Sequence, residues 1–337
     1  MKYKLPILTC LTMAGLMLIC VQNSYLVGPI FSSLNAQPVS DDENKSSVNI
    51  GIPVDADGNP MEVTVVDPME APTNEDSLLT DPDIILGRAI SQMYAESKFQ
   101  ASIRHKINMF DQQLVGSGHY RQFGTGTIKR LRFELKTQVG DKTSSVIQVC
   151  DGRHLWSREN LPEGTTLSRV DVRYIRDALE AENSKHGAGR LATNWGANIA
   201  MGGLPRLLAS LQACFEFEAV TETRFEDVPV WVLLGQWKPE VRDRIMKQFG
   251  TGKQIPPHLP NAVRLVLGRD VEYKFIPREI QYLRINSDKT AQPMVSLQLY
   301  DITRRVDMNA AQFEYQRGEQ VIVDRTQAFL DKYVNQE

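Results

Sequence analysis

Phe99-Gln-Ala-Ser-Ile-Arg-His-Lys-Ile-Asn-Met109 is the stretch on which the fold turns. Phe99, Ala101, Ile103, His105, Ile107 and Met109 alternate with Gln100, Ser102, Arg104, Lys106 and Asn108. A period of two belongs to a strand with one dry face and one wet face. The same alternation recurs in Leu131, Phe133 and Leu135, in Ile147 and Val149, in Val263, Leu265 and Leu267, in Val271, Tyr273 and Phe275, and in Val295, Leu297 and Leu299. One-sided strands in such number predict an antiparallel sheet. Asp151-Gly152, Glu226-Asp227 and Gly268-Arg269-Asp270 supply turn chemistry between strand-like runs, so consecutive strands are expected to pair with their neighbours. A twisted sheet of many strands tends to curl, which puts the dry side on the inside of the curve.

Helices break into this meander. Asp81-Pro82 caps and opens one that carries Ile85, Leu86, Ala89, Ile90 and Met93. Others are expected at Val172, Ile175 and Leu179, at Leu204, Leu207, Leu208 and Leu211, after Pro239 at Val241, Ile245 and Phe249, and after Asp324 at Phe329, Leu330 and Tyr333. The Leu204–Leu211 stripe has the spacing of a helix that buries one face. The fold class that follows is α+β, with helices covering the apolar concave face of the sheet. Residues 83–337 contain no internal repeat and no boundary that divides them.

Ahead of this part, Lys2 and Lys4 precede an apolar run from Leu5 to Val21, the layout of an export signal. The run is long for a cleaved leader and marginal for a span, so residues 1–36 are either a signal peptide or an N-terminal membrane anchor. Residues 37–81 hold eleven Asp or Glu, a single Lys and prolines at 38, 53, 60, 68 and 72, which reads as an extended, disordered acidic linker. The expected organisation is therefore 1–36 leader or anchor, 37–81 linker and 82–337 folded domain, in an exported protein of the periplasm or cell envelope. The formal charge of −3, or about −5 once Lys2 and Lys4 are set aside, does not suggest an electrostatic nucleic-acid binder.

No motif points to a cofactor, a metal or catalysis. Asp55-Ala-Asp-Gly-Asn59 resembles the start of a calcium loop, but Pro60 stands where the loop needs glycine and Val66 where it needs glutamate. Gly124-Thr-Gly126 and Gly250-Thr-Gly-Lys253 lack the spacing of phosphate loops and read as turns. The five histidines show no metalloprotease spacing, and no serine sits in a nucleophile elbow. His105, on the dry side of its strand, reads as a hydrogen-bonded core histidine. Outside the leader, Cys150 and Cys214 can either pair in an oxidising compartment or serve as small buried hydrophobes.

The run Val295-Ser-Leu-Gln-Leu-Tyr-Asp-Ile-Thr-Arg-Arg-Val-Asp-Met-Asn-Ala-Ala-Gln-Phe-Glu-Tyr-Gln-Arg-Gly-Glu-Gln-Val-Ile-Val-Asp324 resembles the closing segment of outer-membrane lipoprotein carrier (LolA-like) proteins. In those proteins a strand leads through a basic polar stretch and a turn to a strand bearing an aromatic pair and a glycine. Val263 to Tyr282 and Asp151-Gly-Arg-His-Leu-Trp156 are similar to them as well. The resemblance implies a highly curved antiparallel half-barrel of about eleven strands around an apolar cavity that takes up acyl chains. Ile103, Ile107, Leu131, Phe133, Leu135, Leu204, Leu207 and Leu211 are the candidate lining. The implied function is non-catalytic binding of lipid or lipoprotein acyl chains. The alternative is a structural or sensory envelope module whose cavity is filled by its own side chains, among them Leu207, Leu208 and Leu211. The long linker and the inserted stretch from Glu182 to Gly203 depart from a soluble carrier.

Overall fold

The computed structural model describes residues 79–109, 112–125, 129–139, 142–178, 195–249, 255 and 259–333. The leader, nearly all of the linker, the Asp55 loop and most of the inserted stretch lie outside these residues. The first half of the sheet is a meander of six strands: β1 (Lys98–Met109), β2 (Gln112–Phe123), β3 (Arg130–Val139), β4 (Lys142–Cys150), β5 (His154–Leu161) and β6 (Gly164–Asp171). The second half contains β7 (Phe215–Phe225), β8 (Val228–Trp237), β9 (Ala262–Gly268), β10 (Pro277–Ile285) and β11 (Ala291–Thr303), followed by a short β12 (Ile322–Asp324). All twelve form one open sheet in the order β12-β6-β5-β4-β3-β2-β1-β11-β10-β9-β8-β7. Neighbours along the chain pair antiparallel within each half, as their turn signals predict. The halves are sewn together by antiparallel pairing of β1 with β11, with His105 opposite Leu297. Of the twelve, β12 alone runs parallel to its neighbour, β6.

Local chemistry explains the turns. Glu226 and Asp227 both take positive φ (48° and 65°), the geometry of a two-residue hairpin loop whose twist matches its strands. At the β4–β5 turn the Asp151 carboxylate accepts the N–H groups of Arg153 (2.8 Å) and His154 (2.7 Å), and Gly152 supplies the positive φ.

Among the described residues, five helices accompany the sheet: α1 (Pro82–Ala95), α2 (172–178), α3 (Trp195–Cys214), α4 (Pro239–Phe249) and α5 (Thr326–Tyr333). Each contains a run expected from sequence, although α3 begins at Trp195, ahead of the expected Leu204 stripe, and Leu179 falls outside the described residues. Asp81 caps α1, its Oδ1 accepting the Asp83 N–H at 2.8 Å, and Pro82 needs no partner for a first-turn N–H. α1 packs along α3, and α3 also touches β3, β4 and β7. One apolar core joins Ile85, Leu86, Ala89 and Met93 of α1, the α3 leucines and the dry faces of the strands.

Two expectations need correction, and one left open by the sequence is decided. Val271, Tyr273 and Phe275 are not a strand: the Asp270 carboxylate accepts the Tyr273 N–H (2.9 Å), Phe275 takes φ 64°, and Val271 stands 97% exposed. The pairing strand is β10, which begins only at Pro277. The segment expected as a closing strand is instead a 3-10 turn at Ala310–Phe313 followed by the three-residue β12. It crosses the outer face of the sheet, with Phe313 stacked on Phe123 (5.7 Å between ring centres) and Tyr315 on Trp156 (5.6 Å). Cys150 and Cys214 form no disulfide and are both buried in the apolar core, which matches the reading of small hydrophobes and not the bridge.

Candidate functional site: the concave face

The register lays the dry residues of neighbouring strands in rows. Leu299, Ile103, Gly118 and Leu135 form one row from β11 to β3, and Ala101, Tyr120 and Phe133 another from β1 to β3. Ile103, Ile107, Leu131, Leu135, Leu204, Leu207 and Leu211 all belong to the single core, none more than 4% exposed. Phe133 is half-buried and packs against them. The eight candidate residues are therefore brought together, and the helical ones lie directly on the sheet ones.

α3 is not a continuous helix. Its backbone breaks at Gly203 (φ 67°, ψ −158°), two residues before Pro205, so the Leu204–Leu211 stripe belongs to a separate segment from the turns before it. The break is held by a side chain. The Leu204 N–H donates to Tyr120 Oη at 3.1 Å, and a Cβ on residue 203 would lie 2.2 Å from that oxygen. Only glycine combines this φ with this approach.

Tyr120 is the inner end of a buried polar chain that periodicity did not announce. Its hydroxyl donates to Gln122 Oε1 (2.9 Å), and Gln122 Nε2 donates to the carbonyls of Met93 (3.1 Å) and Glu96 (3.2 Å) where α1 ends. Lys129 Nζ donates to the carbonyls of Glu96 (2.8 Å) and Gly124 (2.9 Å). The Glu96 carboxylate accepts from Gln92 Nε2 at 2.6 Å and is paired with Arg304, which follows β11. Burial pulls the Lys129 ammonium down to about 8, against the opposing influence of Glu96. Burial pushes the Tyr120 hydroxyl up, and its bond from the Leu204 N–H offsets part of the rise. Only the register places Gln122 on the dry face, opposite Phe99 and Leu131; residues 112–123 carry no apolar alternation that marks it. Lys129 stands outside any periodic run.

His105 lies on the same face, buried, and burial lowers its pKa to about 4. It is a core histidine, as expected, but its Nε2 has no hydrogen-bond partner.

Fold and site together define a class: an open antiparallel half-barrel whose concave face is covered by a broken apolar helix. No protein-family model matches the chain, and no curated protein does. Among solved structures it is similar to the complex of Pseudomonas aeruginosa MucA and MucB, at 11% identity over 70% of this chain and 62% of that one, TM-score 0.35. It is also similar to a DUF1329 family protein from Desulfovibrio piger (10% identity, 69% of this chain, 95% of that one, TM-score 0.31). A third is a putative outer-membrane lipoprotein-sorting protein domain from Vibrio parahaemolyticus (9% identity, 69% and 95%, TM-score 0.29). The chain spans less than two thirds of the MucB-containing chains it matches. The half-barrel itself stands on the strand order.

Proposed function

We propose that this chain is a non-catalytic module of the cell envelope whose apolar concave face is its binding element, taking up the acyl chain of a lipid or lipoprotein. The observation that carries the reading is the wall closing that face: an apolar helix segment, Leu204 to Leu211, joined to the preceding turns only through the break at Gly203. A dry face closed by a hinged wall admits a chain-like apolar ligand when the wall moves. Ile103, Ile107, Leu131, Phe133 and Leu135 then line the fixed side, and Leu204, Leu207 and Leu211 the movable one. Burying about ten methylenes would contribute roughly 8 kcal/mol before the costs of immobilisation. Export rests on Lys2, Lys4 and the apolar run after them, whether the leader is cleaved or kept as an anchor.

The complete burial of Leu207, Leu208 and Leu211 favours a second reading, a structural or sensory module whose interior stays filled by its own side chains. Titration of the purified, folded protein with a fluorescent fatty acyl probe separates the two. Saturable binding that Leu207→Asp abolishes, with circular dichroism unchanged, supports uptake. A folded wild type that binds no probe and co-purifies with no lipid leaves the second reading.

A further inference from the structure

The outer face of the sheet is wet but not evenly charged. On β1, β2 and β3 the residues alternating with the core are dominated by cations: Arg104, Lys106, Arg121, Arg130, Arg132 and Lys136. Arg121 stands directly opposite Arg132; the next row on this face is Ser102, His119 and Glu134, and the one after it places Arg104, Ser117 and Lys136 side by side. Like charges opposed across a strand pair repel. The carboxylate that this face of the three strands offers is Glu134, and Arg132 already holds it at 2.6 Å. Arg121 Nε has no hydrogen-bond partner. Arg104 is bonded to a neutral group, Gln298 Oε1, and lies over the Tyr300 ring. The segment bearing Phe313 and Tyr315 covers the Phe123 and Trp156 end of this face. At the other end Lys136 and the apolar Val115 (46%) are exposed.

The matching charge is in the same chain. Of its 41 acidic residues, eleven lie in residues 37–81 beside one Lys, so residues 82–337 hold 30 Asp or Glu against 35 Lys or Arg, a net +5. Ten of those eleven carboxylates precede Leu79, where the described structure begins. A tract of 42 residues from Gln37 to Leu78 reaches about 140 Å fully extended. As a flexible coil the same tract spans roughly 36 Å, close to the roughly 40 Å length of the twelve-residue β1. Being tethered, it meets that face at an effective concentration on the order of millimolar.

We propose that the acidic segment 37–78 docks on the basic outer face of β1–β3 and shields it from other anions. The contact is electrostatic and multivalent, and it forms whether the residues before it are cleaved or retained. It does not depend on what the concave face binds.

The test uses the full chain. A carbodiimide that joins amines to adjacent carboxylates, followed by mass spectrometry, is expected to link Lys106 and Lys136 to carboxylates between Asp41 and Asp76. Raising salt from 0.1 M to 1 M, which shortens the Debye length from about 10 Å to about 3 Å, is expected to reduce these links at least tenfold. A second variant carries the ten carboxylates of 37–78 as Asn or Gln, a change confined to residues before the described fold. It is expected to bind phosphatidylglycerol vesicles at least tenfold more tightly than the wild type. If links to the segment are missing at low salt, or if the wild type binds those vesicles as tightly as the neutralised variant, the face is open to an outside anion and the proposal fails.

Discussion

His105 sits between Ile103 and Ile107 on the dry side of β1, opposite Gly116 on one neighbour and Leu297 on the other. Unfolded, its imidazole titrates near the ordinary value of 6.5; folded, burial lowers this to about 4. Between those values the unfolded chain binds a proton that the folded chain refuses. Stability is therefore fully present above pH 6.5 and falls as the pH drops towards 4, by on the order of 3 kcal/mol from this group. Urea unfolding at pH 7 and pH 4.5 should show that loss in the wild type, while His105→Leu, which also removes an unpaired nitrogen, should be nearly flat over the window. Equal losses in both proteins would assign the effect to another group. The alternation of residues 99–109 located this histidine on the core side, but whether its nitrogens would find partners depends on strands nearly two hundred residues away in sequence. Tyr120 and Gly203 pose a related case. Tyr120→Phe leaves the Leu204 N–H and Gln122 Oε1 without this partner in a buried setting and should cost about 1–3 kcal/mol. Gly203→Ala meets both the positive φ and the tyrosine oxygen, so its cost should be smaller in the Tyr120→Phe background. A double-mutant cycle read from denaturation midpoints checks this, and strict additivity would mean that the hydroxyl does not hold the break.

Elements were legible where a pattern was long or a cap was present. α1 has both, with Asp81-Pro82 at its start and an apolar residue on each turn, and β1 has eleven alternating residues. The residues from Val271 to Phe275 show only three alternations, and a single carboxylate, Asp270, is enough to turn that chain aside. The consequence is measurable. Val271→Lys should change stability by no more than about 0.5 kcal/mol, since the side chain is in water. By contrast, Phe313, expected within a strand, is fully buried on the outer face against Phe123. Phe313→Ala should cost roughly 3–5 kcal/mol in thermal or urea unfolding. Its burial on that side was not readable, because alternation names the face a strand residue uses and says nothing about a segment that lies across the sheet.

At the scale of the molecule, the antiparallel sheet and its dry face followed from periodicity, and the pairing of neighbours followed from the turns. The seam between β1 and β11 did not, because no local signal marks two strands that meet across the length of the chain. The seam and the shared core make the halves one cooperative unit. Trp156 on β5 and Trp231 on β8 sit in opposite halves, and single-tryptophan variants keeping one or the other should unfold with the same midpoint. Two separate transitions would divide the sheet at that seam.

The seam also sets the order in which the chain becomes safe. Among the described strands β1 is the first to emerge and its partner β11 nearly the last, separated by 181 residues from Met109 to Ala291. At synthesis rates of about 5–20 residues per second this gap lasts roughly 10–40 s. Throughout that interval one side of a twelve-residue strand bearing Ile103 and Ile107 lacks its final neighbour, the arrangement that invites pairing with a second unfinished chain. Until the last long strand arrives, β11 does not cover that edge.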